Sequence, residues 1–123
     1  MRMINVLIVE DDMLDRELVE LRVKIALGGE CKFIYCTSLK GTLKALNDKE
    51  FDVMFLDLNL PDSKGVKTVN TIRAQDQSTP IIVISDVLGD DFSEELQQAD
   101  VQAFIPKSRM STGSLPAALS HIL

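Results

Sequence analysis

Short apolar runs alternate with segments of helical periodicity along this chain. Strands that alternate with helices in this way build a parallel sheet with helices packed against it. The 123 residues are enough for one domain with a single core. We therefore predict one α/β domain over residues 1–123 with five strands. The runs that mark them are Ile4 to Val9, Phe33 to Cys36, Val53 to Leu56, Ile81 to Ile84 and Ala103 to Ile105.

Five helices are predicted between and after these runs. In the first, Leu14, Leu18, Leu21 and Ile25 follow the helical spacing i, i+4, i+7 and i+11, and "LGG" at 27–29 is a helix stop. Apolar residues at helical spacing mark each of the others. They are Leu39, Leu43 and Leu46; Val66, Val69 and Ile72; Phe92, Leu96 and Ala99; and Leu115, Leu119 and Ile122.

The apolar runs differ in a way that indicates their order in the sheet. Runs 4–9, 53–56 and 81–84 are almost wholly apolar, as expected of strands covered on both faces. The run at 33–36 is more mixed, and the last run meets Pro106, whose missing N–H favours an edge. Right-handed crossovers then allow the flavodoxin-like order 2-1-3-4-5. In that order a crevice opens at the carboxyl ends of the first and third strands.

Carboxylates follow both strands that meet at this crevice. Glu10, Asp11 and Asp12 follow the first strand, and Asp57 follows the third in "VMFLDLNLP". Clustered carboxylates repel one another, and their hard oxygens suit Mg²⁺, which completes its shell with waters and phosphate oxygens. The sequence therefore predicts a magnesium and phosphoryl site. For Asp12 taken alone, capping of the first helix is the preferred interpretation.

A hydroxyl and an ammonium group follow the two remaining strands at this edge. Ser85 ends the fourth strand, and Lys107 comes just after the fifth. Taken singly, each is an ordinary loop or surface residue. Together with Asp57 and a divalent cation, they indicate a phosphoryl-transfer site in which Asp57 is the acceptor.

Composition and motifs narrow the classes of function. A net charge of −6 and a pI near 4.7 argue against direct nucleic-acid binding. No apolar run has membrane-spanning length, and the N-terminus lacks the apolar region of a signal peptide, so we expect no membrane binding and a cytoplasmic location. Cys31 and Cys36 flank a predicted strand and lie too far apart for a disulfide. The sequence contains neither the Walker-type motif G-x-x-x-x-G-K-[ST] nor the motif G-x-G-x-x-G, which disfavours nucleotide hydrolysis.

Over essentially its whole length, the chain resembles the receiver domains of bacterial two-component response regulators. The resemblance rests on "LIVEDD", "MFLDLNLPDSKG", "IIVIS" and "FIPKS", in family order and with family-like spacing. It implies that Asp57 takes the phosphoryl group. It also implies that Glu10, Asp11, Asp57 and the backbone carbonyl of Asn59 hold Mg²⁺.

The resemblance implies a switch and partners as well. Ser85 and Lys107 would bind phosphoryl oxygens, and Phe104 would be a switch aromatic that turns inward as Ser85 shifts. The donor would be a histidine kinase, a phosphotransfer protein or a small acyl phosphate. The domain would catalyse its own phosphorylation and dephosphorylation without being an independent enzyme. An output domain or effector protein, or a second copy in a homodimer, would use the face of the fourth helix, fifth strand and fifth helix.

Two alternative functions remain open. One is a degenerate receiver that binds a partner without phosphorylation, and the other is a flavodoxin-like cofactor protein with the same architecture. Asp86 stands where the family usually has a small residue, so it is a candidate modulator that predicts slower phosphorylation unless it turns to solvent. For Phe104, the alternative is an ordinary apolar residue on an edge strand.

Overall fold

A computed structural model of the chain describes residues 3–86, 94–95, 98–111 and 113–123. Its main sheet has five parallel strands, and their spatial order is β2-β1-β3-β4-β5. This order confirms the predicted flavodoxin-like arrangement. An antiparallel hairpin, Asn59–Leu60 with Ser63–Lys64, follows the third strand. The sheet strands are β1 (Ile4–Val9), β2 (Cys31–Cys36), β3 (Val53–Leu56), β4 (Ile81–Ser85) and β5 (Ala103–Pro106).

Four of the predicted helices lie within the described residues. They are α1 (Met13–Leu27), α2 (Leu39–Asp48), α3 (Lys67–Gln75) and the C-terminal helix (Ser114–Ile122), with a single 3₁₀ turn at Lys107–Arg109. The remaining predicted helix, marked by Phe92, Leu96 and Ala99, falls largely outside the described residues. Within the described ranges, no helix has both the length and the apolar character needed to cross a bilayer.

Both ends of α1 are capped as the sequence predicts. The Asp12 side chain accepts a hydrogen bond of 2.9 Å from the backbone N–H of Asp15, so Asp12 is the N-cap. At the other end, Gly28 adopts a left-handed conformation with φ 71°, and its N–H bonds to the Lys24 carbonyl. These caps set where α1 starts after β1 and where the chain turns back toward β2.

The core forms a layer on each face of the sheet. Side chains of a strand alternate between the two faces. In β1, Val6 and Ile8 pack in the layer shared with α1 and the C-terminal helix, whereas Leu7 and Val9 pack in the layer shared with α3. The three central strands are almost wholly buried, and β2 and β5 are more exposed, which confirms the predicted edges. Both cysteines of β2 are free thiols.

The buried face of α1 is not the one with the regular leucine spacing. Val19 and Val23 are its buried residues. The other apolar stripe of the helix is exposed and is called the α1 stripe below. It consists of Leu14, Leu18, Leu21 and Ile25. The spacing predicts the helix correctly, but a helix with two apolar stripes offers two candidate faces to the sheet.

Candidate functional site

The carboxyl ends of β1 and β3 bring three carboxylates together. These strands pair in parallel with Val9 beside Leu56, so the residues that follow are also neighbours. Glu10 and Asp57 are buried at this edge, and Asp11 is exposed beside them. One oxygen from each of the three carboxylates lies within 4.8 Å of the others. The acidic cluster predicted from the sequence is therefore present.

Lys107 reaches the cluster from the end of β5. Its Nζ lies 2.6 Å from Oε1 of Glu10 and 3.6 Å from Oδ2 of Asp57. It also donates a hydrogen bond of 2.7 Å to Oδ2 of Asp15 on α1. The structure thus joins the ammonium group of the fifth strand to the carboxylates of the first and third.

Asp15 is a site residue that the sequence analysis did not single out. It lies in the first turn of α1, directly after the acidic run that ends β1. An acidic residue at a helix N-terminus is favoured by the helix dipole, and that function alone would account for it. Asp15 could have been predicted from its position, because the first turn of α1 starts at the sheet edge where the crevice opens.

The charged groups of the site change one another's pKa. Burial raises the pKa of Glu10 to about 8; the hydrogen bond from Lys107 opposes this shift and the neighbouring Asp57 adds to it. Burial lowers the pKa of Lys107, but its hydrogen bonds to Asp15 and Glu10 and the charge of Asp57 outweigh burial and raise it. Lys107 therefore stays charged, whereas Glu10 holds a proton more readily than an ordinary carboxyl group.

One oxygen of Asp57 has no hydrogen-bond partner among the described residues. Oδ2 faces Lys107, whereas Oδ1 is buried and unpaired there. Leaving a buried acceptor unsatisfied is costly, so such atoms often mark a site for an ion or a reacting group. The clustered donors are hard carboxylate oxygens, which fit Mg²⁺ rather than a soft metal.

Two predicted residues share one face of the neighbouring strands. Ser85 is the last residue of β4 and is fully buried, and it pairs in register with Pro106, just before Lys107. Phe104 on β5 is partly buried against the layer that contains Val83. Because Val83 and Ser85 are two residues apart on β4, Ser85 and Phe104 point to the same side of the sheet.

Two further predicted residues lie at the exposed rim. Asn59 begins the hairpin after β3, and its side-chain Oδ1 accepts a hydrogen bond of 2.7 Å from Lys64. Lys64 thus holds the side-chain amide of Asn59. The predicted metal ligand is the backbone carbonyl of Asn59, which this hydrogen bond does not involve. Asp86 follows Ser85 and is exposed.

The family model for the response regulator receiver domain matches residues 6–119. This chain belongs to that receiver-domain family. The match runs from β1 into the C-terminal helix and includes every site residue predicted above.

Individual relatives and structures agree with this assignment. Transcriptional regulatory protein MalR of Bacillus subtilis is 36% identical over 83 residues, which are 68% of this chain and 35% of MalR. Cell cycle response regulator CtrA of Brucella ovis is 36% identical over 88 residues, 69% of this chain and 35% of CtrA. The chain thus spans about a third of the length of these relatives. A CheY-like receiver domain from Methylobacillus flagellatus superimposes with a TM-score of 0.75 at 25% identity, covering 99% of this chain and 100% of that domain.

Proposed function

We propose that this receiver domain is a phosphorylation-dependent switch of a two-component phosphorelay, with Asp57 as phosphoryl acceptor. One observation carries the proposal: the two oxygens of this buried carboxylate have different environments. Oδ2 faces the Lys107 ammonium, and Oδ1 has no hydrogen-bond partner within the described part of the chain. Most buried carboxylates with a purely structural function have both oxygens hydrogen-bonded, so this asymmetry favours a reacting group or a metal ligand.

The chemistry follows from this arrangement. Oδ1 of Asp57 would attack the phosphorus of a phosphohistidine, on a histidine kinase or phosphotransfer protein, or of a small acyl phosphate. A P–O bond to Asp57 forms as the bond from phosphorus to the donor's nitrogen or oxygen breaks. Lys107, 3.6 Å from Oδ2, would hold one oxygen of the transferred group, and the Ser85 hydroxyl would hold another.

A divalent cation completes the proposed site. Glu10, Asp11, Asp57 and the backbone carbonyl of Asn59 would hold Mg²⁺, which supplies neutralisation of the phosphoryl charge when it is bound. The cluster of three carboxylates within 4.8 Å supports the assignment of the first three. Dephosphorylation would use the same residues to position a water molecule.

The signal would leave the site through β4 and β5. Ser85 and Phe104 lie on the same side of the sheet. A shift of the Ser85 hydroxyl toward the phosphoryl group would therefore open space into which Phe104 turns. The face formed by β5, the C-terminal helix and the predicted fourth helix would report the change to an output domain or effector protein. MalR and CtrA are named as regulators and extend well beyond the matched part, which supports an output partner.

The free cysteines and the net charge support a proposal for the compartment and for the kind of partner. We expect it to act in the cytoplasm, where the free thiols Cys31 and Cys36 would stay reduced. With a net charge of −6, this domain would leave nucleic-acid contact to another part or partner.

Intact-mass measurement after incubation with acetyl phosphate tests the proposed function. With Mg²⁺ we expect one phosphoryl adduct, which hydroxylamine removes because it cleaves acyl phosphates. With excess chelator we expect no adduct. If neither acetyl phosphate nor phosphorylated histidine kinases label the protein, the phosphorylation-independent binding module replaces this proposal.

The affinity of the site for Mg²⁺ should rise with pH up to about 8. Glu10 must lose its proton to act as a ligand, and burial raises its pKa to about 8. Each pH unit below that value should weaken Mg²⁺ binding by up to about tenfold. Titration calorimetry in buffers of different ionisation enthalpy measures both the affinity and the protons released. Glu10→Gln should flatten the dependence, and a flat profile for the unmodified protein would contradict the assignment of Glu10.

Asp15→Asn should speed phosphorylation by acetyl phosphate by about threefold. Asp15 competes with Asp57 for Lys107, whose Nζ lies 2.7 Å from Asp15 and 3.6 Å from Asp57, so losing the charge of Asp15 lets the ammonium move toward the acceptor. Initial rates from intact mass provide the measurement. Glu17→Gln, the same change at an exposed position two residues on, is the control and should leave the rate unchanged. A slower Asp15→Asn variant would instead make Asp15 a residue that positions Lys107 productively.

Asp86→Ala should also increase the rate with acetyl phosphate, by about two- to fivefold. Asp86 is exposed, so it does not obstruct the crevice, and only its charge directly after Ser85 is left to repel an anionic donor. The gain should shrink in about 1 M salt, because exposed charges are screened. Asp86→Asn separates charge from bulk and should match Asp86→Ala. Equal rates for the unmodified protein and both variants would show that Asp86 does not modulate the site.

A further inference from the structure

The hairpin that follows β3 carries a proposed metal ligand at its first residue. Asn59 begins the hairpin, and the ligand assigned to it above is its backbone carbonyl. A backbone ligand moves only with its chain, so its position depends on what holds the hairpin in place. At the base of the hairpin, the N–H of Gly65 donates a hydrogen bond of 2.8 Å to the carbonyl of Leu58, the residue before Asn59. The base is thus closed directly beside the proposed ligand.

Asp62 joins the turn of this hairpin to the start of α2. It forms the turn together with Pro61. Its Oδ1 accepts a hydrogen bond of 2.8 Å from the backbone N–H of Leu39, and its Oδ2 accepts one of 3.0 Å from the backbone N–H of Lys40. These bonds lower the pKa of Asp62, which therefore stays a carboxylate. They span 23 and 22 positions of the sequence, so they connect two separate segments of the chain.

The helix α2 has a local N-cap that does not involve Asp62. The Oγ of Ser38 accepts a hydrogen bond of 3.0 Å from the N–H of Gly41, and the carbonyl of Ser38 accepts one of 3.1 Å from the N–H of Thr42. Lys40 is exposed, and water satisfies exposed N–H groups at many helix starts. The bonds of Asp62 are therefore explained better by what they do for the hairpin than by a requirement of the helix.

The other side of the hairpin is bound to α3. The hydroxyls of Ser63 and Thr68 share a buried hydrogen bond of 2.6 Å, and Thr68 lies in the first turn of α3. Leu60 is fully buried in the core layer on the same side of the sheet. The hairpin thus bridges the starts of two helices. Ser63 and Leu60 anchor its buried side, whereas Asp62 anchors its exposed turn.

We propose that Asp62 is a positioning residue for the metal site: by holding the hairpin against α2, it sets the backbone carbonyl of Asn59 at the edge of the crevice. This inference rests on the proposed function, which makes that carbonyl a ligand. Asp62 does not belong to the cluster of three carboxylates and would not touch the metal. Its loss should weaken Mg²⁺ binding without abolishing it, because the three carboxylates remain. They are Glu10, Asp11 and Asp57.

Titration calorimetry of the purified chain with Mg²⁺ tests this function of Asp62. Asp62→Ala should weaken Mg²⁺ binding about tenfold, as the loss of a group that orients a metal ligand typically does. Asp62→Asn should lie between this variant and the unmodified protein, because its single amide oxygen can accept only one of the two hydrogen bonds well. Both variants lose the same charge. Equal weakening by the two would therefore assign the effect to charge and overturn the proposal.

Ser38→Ala is the matched control, because it removes a hydrogen bond from the same helix start without touching the hairpin. It should lower the thermal unfolding midpoint about as much as Asp62→Ala does, since each variant loses a cap of α2. Its affinity for Mg²⁺ should match that of the unmodified protein. If Ser38→Ala weakens Mg²⁺ binding as much as Asp62→Ala, then Asp62 merely stabilises α2 and the proposal is wrong.

Hydrogen exchange of the metal-free protein measures the hold on the hairpin separately from metal binding. The N–H of Gly65 reports the base of the hairpin, and it should exchange at least about threefold faster in Asp62→Ala but not in Ser38→Ala. An unchanged exchange rate in Asp62→Ala would overturn the proposal.

The calorimetry distinguishes failure of this inference from failure of the proposed function. If the unmodified protein binds Mg²⁺ and Asp62→Ala binds it equally well, the positioning function of Asp62 is wrong and the proposed function stands. If the unmodified protein binds no Mg²⁺, the proposed metal site is wrong, and the positioning function falls with it even where the exchange of Gly65 responds to the substitution.

Discussion

Replacing Asp57 by Asn should abolish the phosphoryl adduct and leave the fold intact. Asn has nearly the same shape, but its amide oxygen is a poor nucleophile and cannot form an acyl phosphate. The fold should persist, because the substitution also removes one of the crowded carboxylates that raise the pKa of Glu10. Intact mass after treatment with acetyl phosphate and Mg²⁺ measures the loss, and thermal unfolding confirms the fold.

Asp12→Asn is the matched control for that experiment. It makes the same chemical change at the rim of the crevice, and Asn caps a helix about as well as Asp, so α1 should remain intact. This variant should be labelled to the same extent as the unmodified protein. Persistent labelling of Asp57→Asn would assign the phosphoryl group to another residue and overturn the proposed acceptor.

Replacing Lys107 by Ala should slow phosphorylation about 100-fold and destabilise the protein. Removing a preorganised cationic group from a phosphoryl-transfer site typically has an effect of this size on rate. Without Mg²⁺, Glu10 and Asp57 would also lose the ammonium that faces both of them. Breaking a buried ion pair in this way costs about 3 kcal/mol of unfolding free energy. Acetyl phosphate kinetics and denaturant unfolding measure the two effects.

Three comparisons make the Lys107 result specific. Mg²⁺ should stabilise Lys107→Ala more than the unmodified protein, because the cation replaces part of the missing charge. The destabilisation should be smaller at pH 6 than at pH 9, because Glu10, with a pKa of about 8, is protonated and neutral at the lower pH. Lys44→Ala, at an exposed position on α2, should change neither property. A Lys107→Ala protein as stable as the Lys44→Ala control at both pH values would contradict the ion-pair argument.

Much of the fold was predictable because its signals are local. Strands buried on both faces read as continuous apolar runs, so β1, β3 and β4 were assigned to the centre of the sheet from composition alone. The site followed from the same pattern, since parallel strands deliver their carboxyl ends to one edge. Glu10, Asp57 and Lys107 could therefore be brought together before any distance was known.

Contacts between elements that are far apart in the sequence were not predictable in this way. By sequence, Asp15 is an ordinary acidic residue in the first turn of a helix, and only the packing of α1 against β1 and the C-terminal helix brings it within 2.7 Å of Lys107. The orientation of α1 has the same cause. Periodicity shows two apolar stripes on α1, and only the contacts of Val19 and Val23 with the sheet and the C-terminal helix show which stripe is buried. Local spacing specifies the helix, whereas only the long-range packing against the sheet, which buries Val19 and Val23, leaves the α1 stripe facing outward.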